Sequence, residues 1–555
     1  MKIPTFTKKP YKDIDLDFIA GDTPILIFEE ENPTFTTIGD FADKFFDSNP
    51  GKEKEKVFLD EKYFCLAFNS KGEVKLFPIR GIIRHKADSH RMFEVVLAYG
   101  RKIIVSEHSS FFTLVNGKVE CIETKNLKSG DIVLVPAKII LPEEKELKID
   151  LLKKFLKIGP PGNLMVESDK LEDFLSRRAY KKVKDFFGEV VLFSKKQREI
   201  IRNERLNKKL TQSQLAKAIG ISKSVLSLFE RGKCNLKKEN ADKLLKLLEL
   251  SLKYKVKVDG RATQVLKLVK KKNKSRKSVT KNRFLMKSLD SETLNYLLEE
   301  CNDLKLYLEG TNNNRTKFPR FLEIDEDLAF FLGVFVADGS INKKMKIVRI
   351  FLGTKKRFYK ECKKRIIKFL KKRGISYTIF KTKEFVEEIR IYSQIMLFLL
   401  ADILKAGTKR VNGRRGVHKN IPDILFSAPK KVKRAFIEGY LKSDGYFVKG
   451  EYLISTVSEK IYKKLPYLSH SCNPPVVFTR VKNTSTGVIY LGHTVKYERV
   501  KGVFGNLVAI LVISVKEVKC PTSWVYSLLV ETDMEGNFIC GYGGICQQAV
   551  WEDLE

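Results

Sequence analysis

No CxxC pair occurs among the nine scattered cysteines, so no zinc cluster is expected and the thiols read as those of a reducing compartment. No apolar segment follows the opening residues MKIPTFTKKPYKDIDLDF, so no secretory signal is expected. No apolar run approaches the ~20 residues that cross a bilayer; the richest, around Leu328–Ala337, falls far short. A membrane enzyme and a secreted scaffold are excluded, and a cytoplasmic, nucleoid-associated location is expected. Acid is also scarce relative to base. Asp plus Glu number 67 against 105 Lys plus Arg, a net charge of +38. Such a field attracts polyanions, with nucleic acid the default partner. Hydrophobic residues at 43% still suffice for folded cores, and 555 residues suggest three to four domains.

The texture changes along the chain. From about residue 18 to 140, short β-type runs such as ILIFEE, YFCLAF, FEVVLAYG and DIVLVPAK alternate with turn residues. Residues 145–260 read as helical. Lys267 to Lys287 holds ten Lys or Arg and no acid, the centre of a basic linker expected over 261–320. Helices and strand pairs alternate over 321–490, and 505–548 is β-rich again. A β module, two inserted regions and a return to β predict one domain interrupted by others at exposed loops.

The strongest signal is an internal repeat. FLGVFVADGS (Phe331–Ser340) and IEGYLKSDGY (Ile437–Tyr446) align on their Asp-Gly pairs, 106 residues apart (444 − 338). Gly333 and Ala337 are four apart, as are Gly439 and Ser443, so each pair stacks on one helix face and allows close backbone approach. Each helix then ends in an acid, Asp338 or Asp444, with Gly339 or Gly445 expected as a left-handed stop. An anion at a helix C-terminus is unfavourable by about 0.3–1 kcal/mol, and two such anions side by side also repel. A divalent cation reverses that penalty; oxygen ligands of this kind suit Mg²⁺ and phosphodiester hydrolysis.

Strand-like runs carrying Lys and Arg follow each copy, and a duplicated helix–strand–strand unit is expected to form a pseudo-twofold basic saddle for duplex DNA. Asp325–Ser340 and Asn420–Tyr446, the latter with its lead-in IPDILFSAPKKVKRAFIEGYLKSDGY, resemble the two motifs of LAGLIDADG (DOD-type) homing endonucleases. The resemblance implies a metal-dependent, site-specific double-strand endonuclease with one acid, Asp338 or Asp444, in each active site. Val336 and Lys442 stand where the motif has an earlier acid. Lys433 and Arg434, basic and placed ahead of the second helix, are candidate DNA contacts.

The outer β segments resemble the Hint fold of inteins, through Phe18-Ile-Ala-Gly-Asp-Thr-Pro, Val105-Ser-Glu-His108-Ser, Val525-Tyr-Ser-Leu-Leu-Val-Glu and Asn537-Phe-Ile-Cys-Gly. Splicing chemistry needs a Cys or Ser where the resemblance puts Phe18, and phenylalanine has no nucleophile. Val105 stands at the Thr of the family's Thr-x-x-His pattern, with His108 as the His. The C-terminal steps need His-Asn before Cys, Ser or Thr; the chain reads Gln547-Gln548-Ala549. The segment is therefore expected to be a degenerate scaffold with His108 a satisfied core or turn histidine.

Lys209–Gly232 resembles a phage-repressor helix-turn-helix within residues 196–250. Leu215, Ala216, Ile219, Val225 and Leu228 would supply its core. Ser222, Lys223, Ser224 and Ser227 would face the major groove.

The fold expected is multidomain α+β: an all-β Hint-like domain split by a helix-turn-helix domain and a duplicated αββαββα endonuclease domain. The chain would act as a monomer on double-stranded DNA with Mg²⁺. A splicing-competent intein, or a repressor-like protein with a dead nuclease, are the alternatives.

Overall fold

The computed structural model describes residues 17–47, 53–171, 173–175, 177–178, 189–258, 283–308, 316–407, 416–485, 487–497, 500–534 and 536–549. Two compact units emerge, Met1–Gly159 with Gly310–Glu555, and Pro160–Glu309. Most of the basic run Lys267–Lys287 lies outside the described residues. No helix among the described residues is long and apolar enough to cross a membrane.

In the first unit, strands from the two ends of the chain share one antiparallel sheet. Trp524–Val530 pairs with Val74–Lys86 and with Ile19–Ala20. Leu507–Val518 lies between Met92–Leu97 and Ile132–Pro136. Asn537–Cys540 pairs with Ile545–Gln548, which reaches Phe111 through Gln547. Alternating residues of these strands, among them Ile25, Ile27, Val95, Val105, Val133, Ile510 and Leu528, make one core. Buried Asn537 accepts the Phe68 N–H (2.8 Å) and donates to the Phe68 carbonyl (3.0 Å), a side chain doing the work of a strand partner. Strands before residue 137 and after residue 506 thus pair in one sheet.

Within the same unit, each copy of the repeat gives a helix, two strands, a helix and two strands. The first sheet orders Gly339–Asn342, Ile347–Gly353, Val386–Ile391 and Tyr377–Lys383; the second orders Tyr446–Val448, Glu451–Thr456, Gly487–Thr494 and Val476–Thr484. In each case the fourth strand of the copy lies between its second and third. On Tyr377–Lys383 the residues from Thr378 to Lys383 are exposed, and on Val476–Thr484 those from Thr479 to Asn483, so Lys381, Lys383, Arg480 and Lys482 stand in solvent.

The second unit corrects two expected boundaries. Lys148–Asp150 and the helix Leu151–Ile158, placed by sequence in the 145–260 helical region, belong to the first unit, where Lys148–Asp150 pairs with Phe321–Glu323. The 261–320 linker is partly folded: Arg283–Leu285 and Lys305–Leu308 flank Leu164–Glu167 in a small sheet, with the helix Ser291–Glu300 between them in sequence. Local polarity hid these strands, whose hydrophobic partners are over a hundred residues away.

The helix-turn-helix itself is built from strong local signals. Ser194 with Gln197 and Thr211 with Gln214 form capping boxes at Lys195–Asn207 and Gln212–Ile219. Gly220 takes φ 78°, the left-handed turn between helices. Ser222 caps the helix Lys223–Glu230 by accepting the Val225 N–H. The core of that helix is Leu226 and Phe229, packed with Leu215, Ala216 and Ile219. The expected Val225 and Leu228 are one position out of register: Val225 is 37% exposed, because a one-residue shift rotates a side chain about 100° around the helix.

Candidate active site

The helix Glu326–Asp338 starts where the Asp325 carboxylate accepts the Leu328 N–H (2.8 Å), and the helix Lys430–Asp444 where Glu143 accepts the Lys430 N–H (3.0 Å). The first is buried from Leu328 to Val336, so it has no solvent face. It meets the second at the small residues the repeat marks. A Cβ on Gly333 would lie 2.1 Å from the Phe436 carbonyl oxygen, and one on Gly439 would lie 2.3 Å from that of Phe330. These contacts are reciprocal at the repeat offset, since 439 − 333 and 436 − 330 are both 106. Glycine is required at the crossing for space.

Both helices end on their acids. Gly339 (φ −88°) and Gly445 (φ −72°) are extended, not left-handed as expected, because the chain runs straight into the sheets. Glycine is needed there because a Cβ would lie 2.5 Å from the carbonyl oxygen of Phe335 or Leu441.

The two acids share a site. Ser443, one residue before Asp444, donates its hydroxyl to Asp338 Oδ2 at 2.8 Å. Burial pushes the Asp444 carboxyl up to about 6, the Asp338 charge adds to the rise, and Lys356 and Lys419 oppose it. The Tyr440 phenol beside Asp444 is pushed well up, by burial first and then by the Asp444 charge.

Two lysines absent from the sequence reading complete the site. Lys356, at the corner after Ile347–Gly353, pairs with Asp338 Oδ2 at 3.1 Å and donates to the Ser443 carbonyl. Lys419 donates to the carbonyl of Phe335 (2.6 Å), which also accepts the Gly339 N–H, and to that of Gly339 (2.5 Å). Burial pushes its ammonium down to about 8 against the pull of Asp338 and Asp444. Lys419 directly precedes the quoted second motif, which is the signal that marks it; Lys356 has no periodic signature.

Other expected residues are placed differently. Lys433 lies inside the second helix, not before it, and is fully buried with no hydrogen-bond partner on Nζ, so it is not a DNA contact. Arg434, in the same helix, is exposed and donates to the Cys472 carbonyl (3.4 Å). Lys442, at the motif's variant position, pairs with Glu361 and Glu438, both at 2.6 Å. Ser222, Lys223 and Ser224 are exposed at the start of the Lys223–Glu230 helix and Ser227 is half-buried.

At the outer β site Phe18 is buried against the rings of His90 (4.9 Å) and His85 (5.7 Å). Its N–H donates to Ser106 Oγ (3.2 Å) and its carbonyl accepts from Ser109 Oγ (2.8 Å). The residues gripping Phe18 are thus Ser106 and Ser109, spaced as the Thr-x-x-His pattern is but one residue later than the match on Val105 and His108. His108 sits on the turn between Lys102–Ser106 and Ser110–Val115, with Lys125 Nζ at 3.4 Å and Glu107 at 3.8 Å. Gln547 is buried with its Oε1 unsatisfied, and Gln548 ends the last strand.

Among the described residues no group of three or more His, Cys, Asp or Glu is placed to hold a metal. The oxygen set here is smaller: two carboxylates and the carbonyls at two helix ends. That fits Mg²⁺, which binds through one or two carboxylates and completes its shell with water and substrate phosphate.

Residues 201–255 match the helix-turn-helix family model, so the second unit contains a helix-turn-helix. The chain is similar to a DNA polymerase of Thermococcus hydrothermalis, 24% identical over 442 residues, covering 78% of this chain and 23% of that protein. It spans about a quarter of the length of such curated relatives. Among solved structures, a transcription factor IIB Mvu mini-intein is 23% identical over 22% of this chain and 70% of that one, with a TM-score of 0.21. I-DmoI, in complex with DNA and Mn, is 13% identical over 31% of this chain and 90% of that one, with a TM-score of 0.23.

Proposed function

We propose that the chain is a Mg²⁺-dependent, site-specific DNA endonuclease of the LAGLIDADG type, carried in a Hint-like scaffold that has lost splicing. The observation that carries this reading is the pair of acids at abutting helix ends, with Asp444 raised to about 6 by burial and by Asp338. A fold gains no stability from two like charges held together, and their arrangement is accounted for by a cation between them and a phosphate. When bound, Mg²⁺ supplies Lewis-acid polarisation of the scissile phosphate and an acidified water. Asp338 and Asp444 are the residues that would hold it. Lys356 and Lys419 place positive charge beside them to offset the phosphate. Lys419 Nζ, brought toward neutrality, is suited to exchange a proton with water near pH 8. The exposed Lys381, Lys383, Arg480 and Lys482 meet phosphates, and Ser222, Lys223 and Ser224 read a second stretch of DNA.

Loss of splicing is supported by Phe18, whose buried ring offers no nucleophile, by a serine hydroxyl, Ser106, in place of an imidazole on its N–H, and by Ala549 after Gln548. The test is incubation of the full chain with Mg²⁺ and a randomised plasmid library at low salt. Linearised plasmids sharing a recovered sequence are expected, with binding that falls by ~10³-fold or more between 50 and 200 mM salt. A library left wholly uncut overturns the nuclease reading.

A further inference from the structure

The two halves of the acid site differ where the two copies of the repeat differ. Ser443 in the second copy matches Ala337 in the first, each one residue before its acid. Asp338 Oδ2 takes the Ser443 hydroxyl at 2.8 Å and the Lys356 ammonium at 3.1 Å. The same ammonium also reaches the Ser443 carbonyl. Asp444 cannot receive the matching hydroxyl, because Ala337 has none. The lysine is held by its stem: a Cβ on Gly353 would lie 3.3 Å from Lys356 Cγ and 3.5 Å from Cδ and Cε, so the glycine makes a flat seat for the carbon chain. The side chain is 40% exposed, so its head is free to leave toward solvent or a DNA phosphate.

A carboxylate oxygen and a main-chain carbonyl are the oxygens a hard divalent cation takes. Resting on the proposed function, we propose that Lys356 is an internal cation occupying one of two metal positions. The Asp444 half then takes up Mg²⁺ first, and the Asp338 half fills only when Lys356 withdraws from Asp338 and Ser443. Two strands served by sites of unequal metal demand are cut in order, one at low Mg²⁺ and the other at high. Lys356 is a positioning residue in this scheme: it governs metal entry through Asp338.

The test is calorimetric titration of the full chain with Mg²⁺ alone and with Ca²⁺ alone, without DNA. The native chain is expected to fill a tight and a weak site, with Asp444→Asn abolishing the tight one and Asp338→Asn the weak one. Lys356→Met is expected to tighten the weak site about tenfold, the size of effect that groups around a metal ordinarily exert. Lys356→Gln, checked for folding by circular dichroism, is expected to do the same. With limiting Mg²⁺ and plasmid, nicked circles accumulate in the native chain. Equal sites in the native chain, or a weak site that Lys356→Met leaves unchanged or weakens, overturn this inference while the metal-centre reading stands. No metal uptake at all, with uncut plasmid, removes the nuclease reading as well.

Discussion

The outer β site and the acid site sit in one compact unit, yet their electrostatics are opposite. Around Phe18 the groups are matched: a phenyl ring against two imidazoles that touch each other, an N–H on Ser106 and a carbonyl on Ser109. Around Asp338 and Asp444 two anions end abutting helices, one carboxyl is raised to about 6, and a lysine is lowered to about 8. The first arrangement stabilises a fold and needs no other explanation. The second works against the fold. Retained unfavourable charge distinguishes a working site from one that has become scaffold.

The comparison breaks first, and by the largest effect, at the acids. Asp338→Asn and Asp444→Asn are each expected to lower cutting of one strand by about 10³-fold or more, the several kcal/mol that a lost metal ligand removes from transition-state stabilisation. Nicked circles in place of linear plasmid report which strand is spared. Denaturation midpoints are expected to hold or rise. A variant that both loses cutting and unfolds would make the acids structural and erase the contrast.

Lys433 is the hardest case for the contrast, because it carries an unfavourable charge outside both sites. Burial pushes its ammonium down to about 8, with Glu143 and Cys472 opposing. Because the folded state binds this proton less well than the unfolded chain, the penalty is full below pH 8 and fades as pH rises toward 10.5. Lys433→Met is expected to stabilise the chain by about 2 kcal/mol at pH 7 and to flatten that rise, with cutting unchanged. Urea denaturation at a series of pH values measures it. Loss of cutting would instead assign Lys433 a part in the chemistry.

Asp444 gives a smaller effect of opposite slope. Its folded value lies above the ordinary 3.8, so the folded state holds the proton more tightly and stability falls as pH climbs from about 4 to 6. After allowance for its partial exposure, Asp444→Asn is expected to gain about 1–2 kcal/mol above pH 6 and nothing below pH 4. Addition of Mg²⁺ is expected to remove the native chain's disadvantage. A gain at every pH would point to packing, not charge.

These charges were unevenly legible in the sequence. The duplicated helices and their acids could be read because the Gly333–Ala337 and Gly439–Ser443 spacings and the Asp-Gly pairs are local and occur twice. The helix-turn-helix was legible through the continuous segment Lys209–Gly232, whose Leu215, Ala216 and Ile219 do form its core. Lys356 and Lys419 were not, since a strand corner and a lead-in segment bring them to the site only in three dimensions. Lys433 was misread because a basic residue ahead of a helix counts as solvated, whereas the helix begins at Lys430 and turns Lys433 onto its buried side. At the outer site the four-residue pattern ending at His108 is local, whereas the contacts of Ser106 and Ser109 with Phe18 join residues about ninety apart.

The smallest expected effect on chemistry is the most direct test of the outer site. Phe18→Cys restores a thiol at the position where splicing would begin, and on sequence alone it repairs the most conspicuous defect. The structure gives two reasons for expecting nothing from it. The nitrogen that would leave is that of Phe18 itself, and its N–H donates to Ser106 Oγ (3.2 Å), a hydroxyl and not an imidazole able to protonate it. At the far end Gln547 is buried on the last strand, and Ala549 has no nucleophile to accept an acyl group. Intact mass spectrometry is expected to find the variant at full length near 63.9 kDa, with a loss of stability of about 3 kcal/mol from the emptied ring volume. Any shorter product would mean that the outer site is one side chain from activity, and unfavourable charge would then no longer separate the two sites by function.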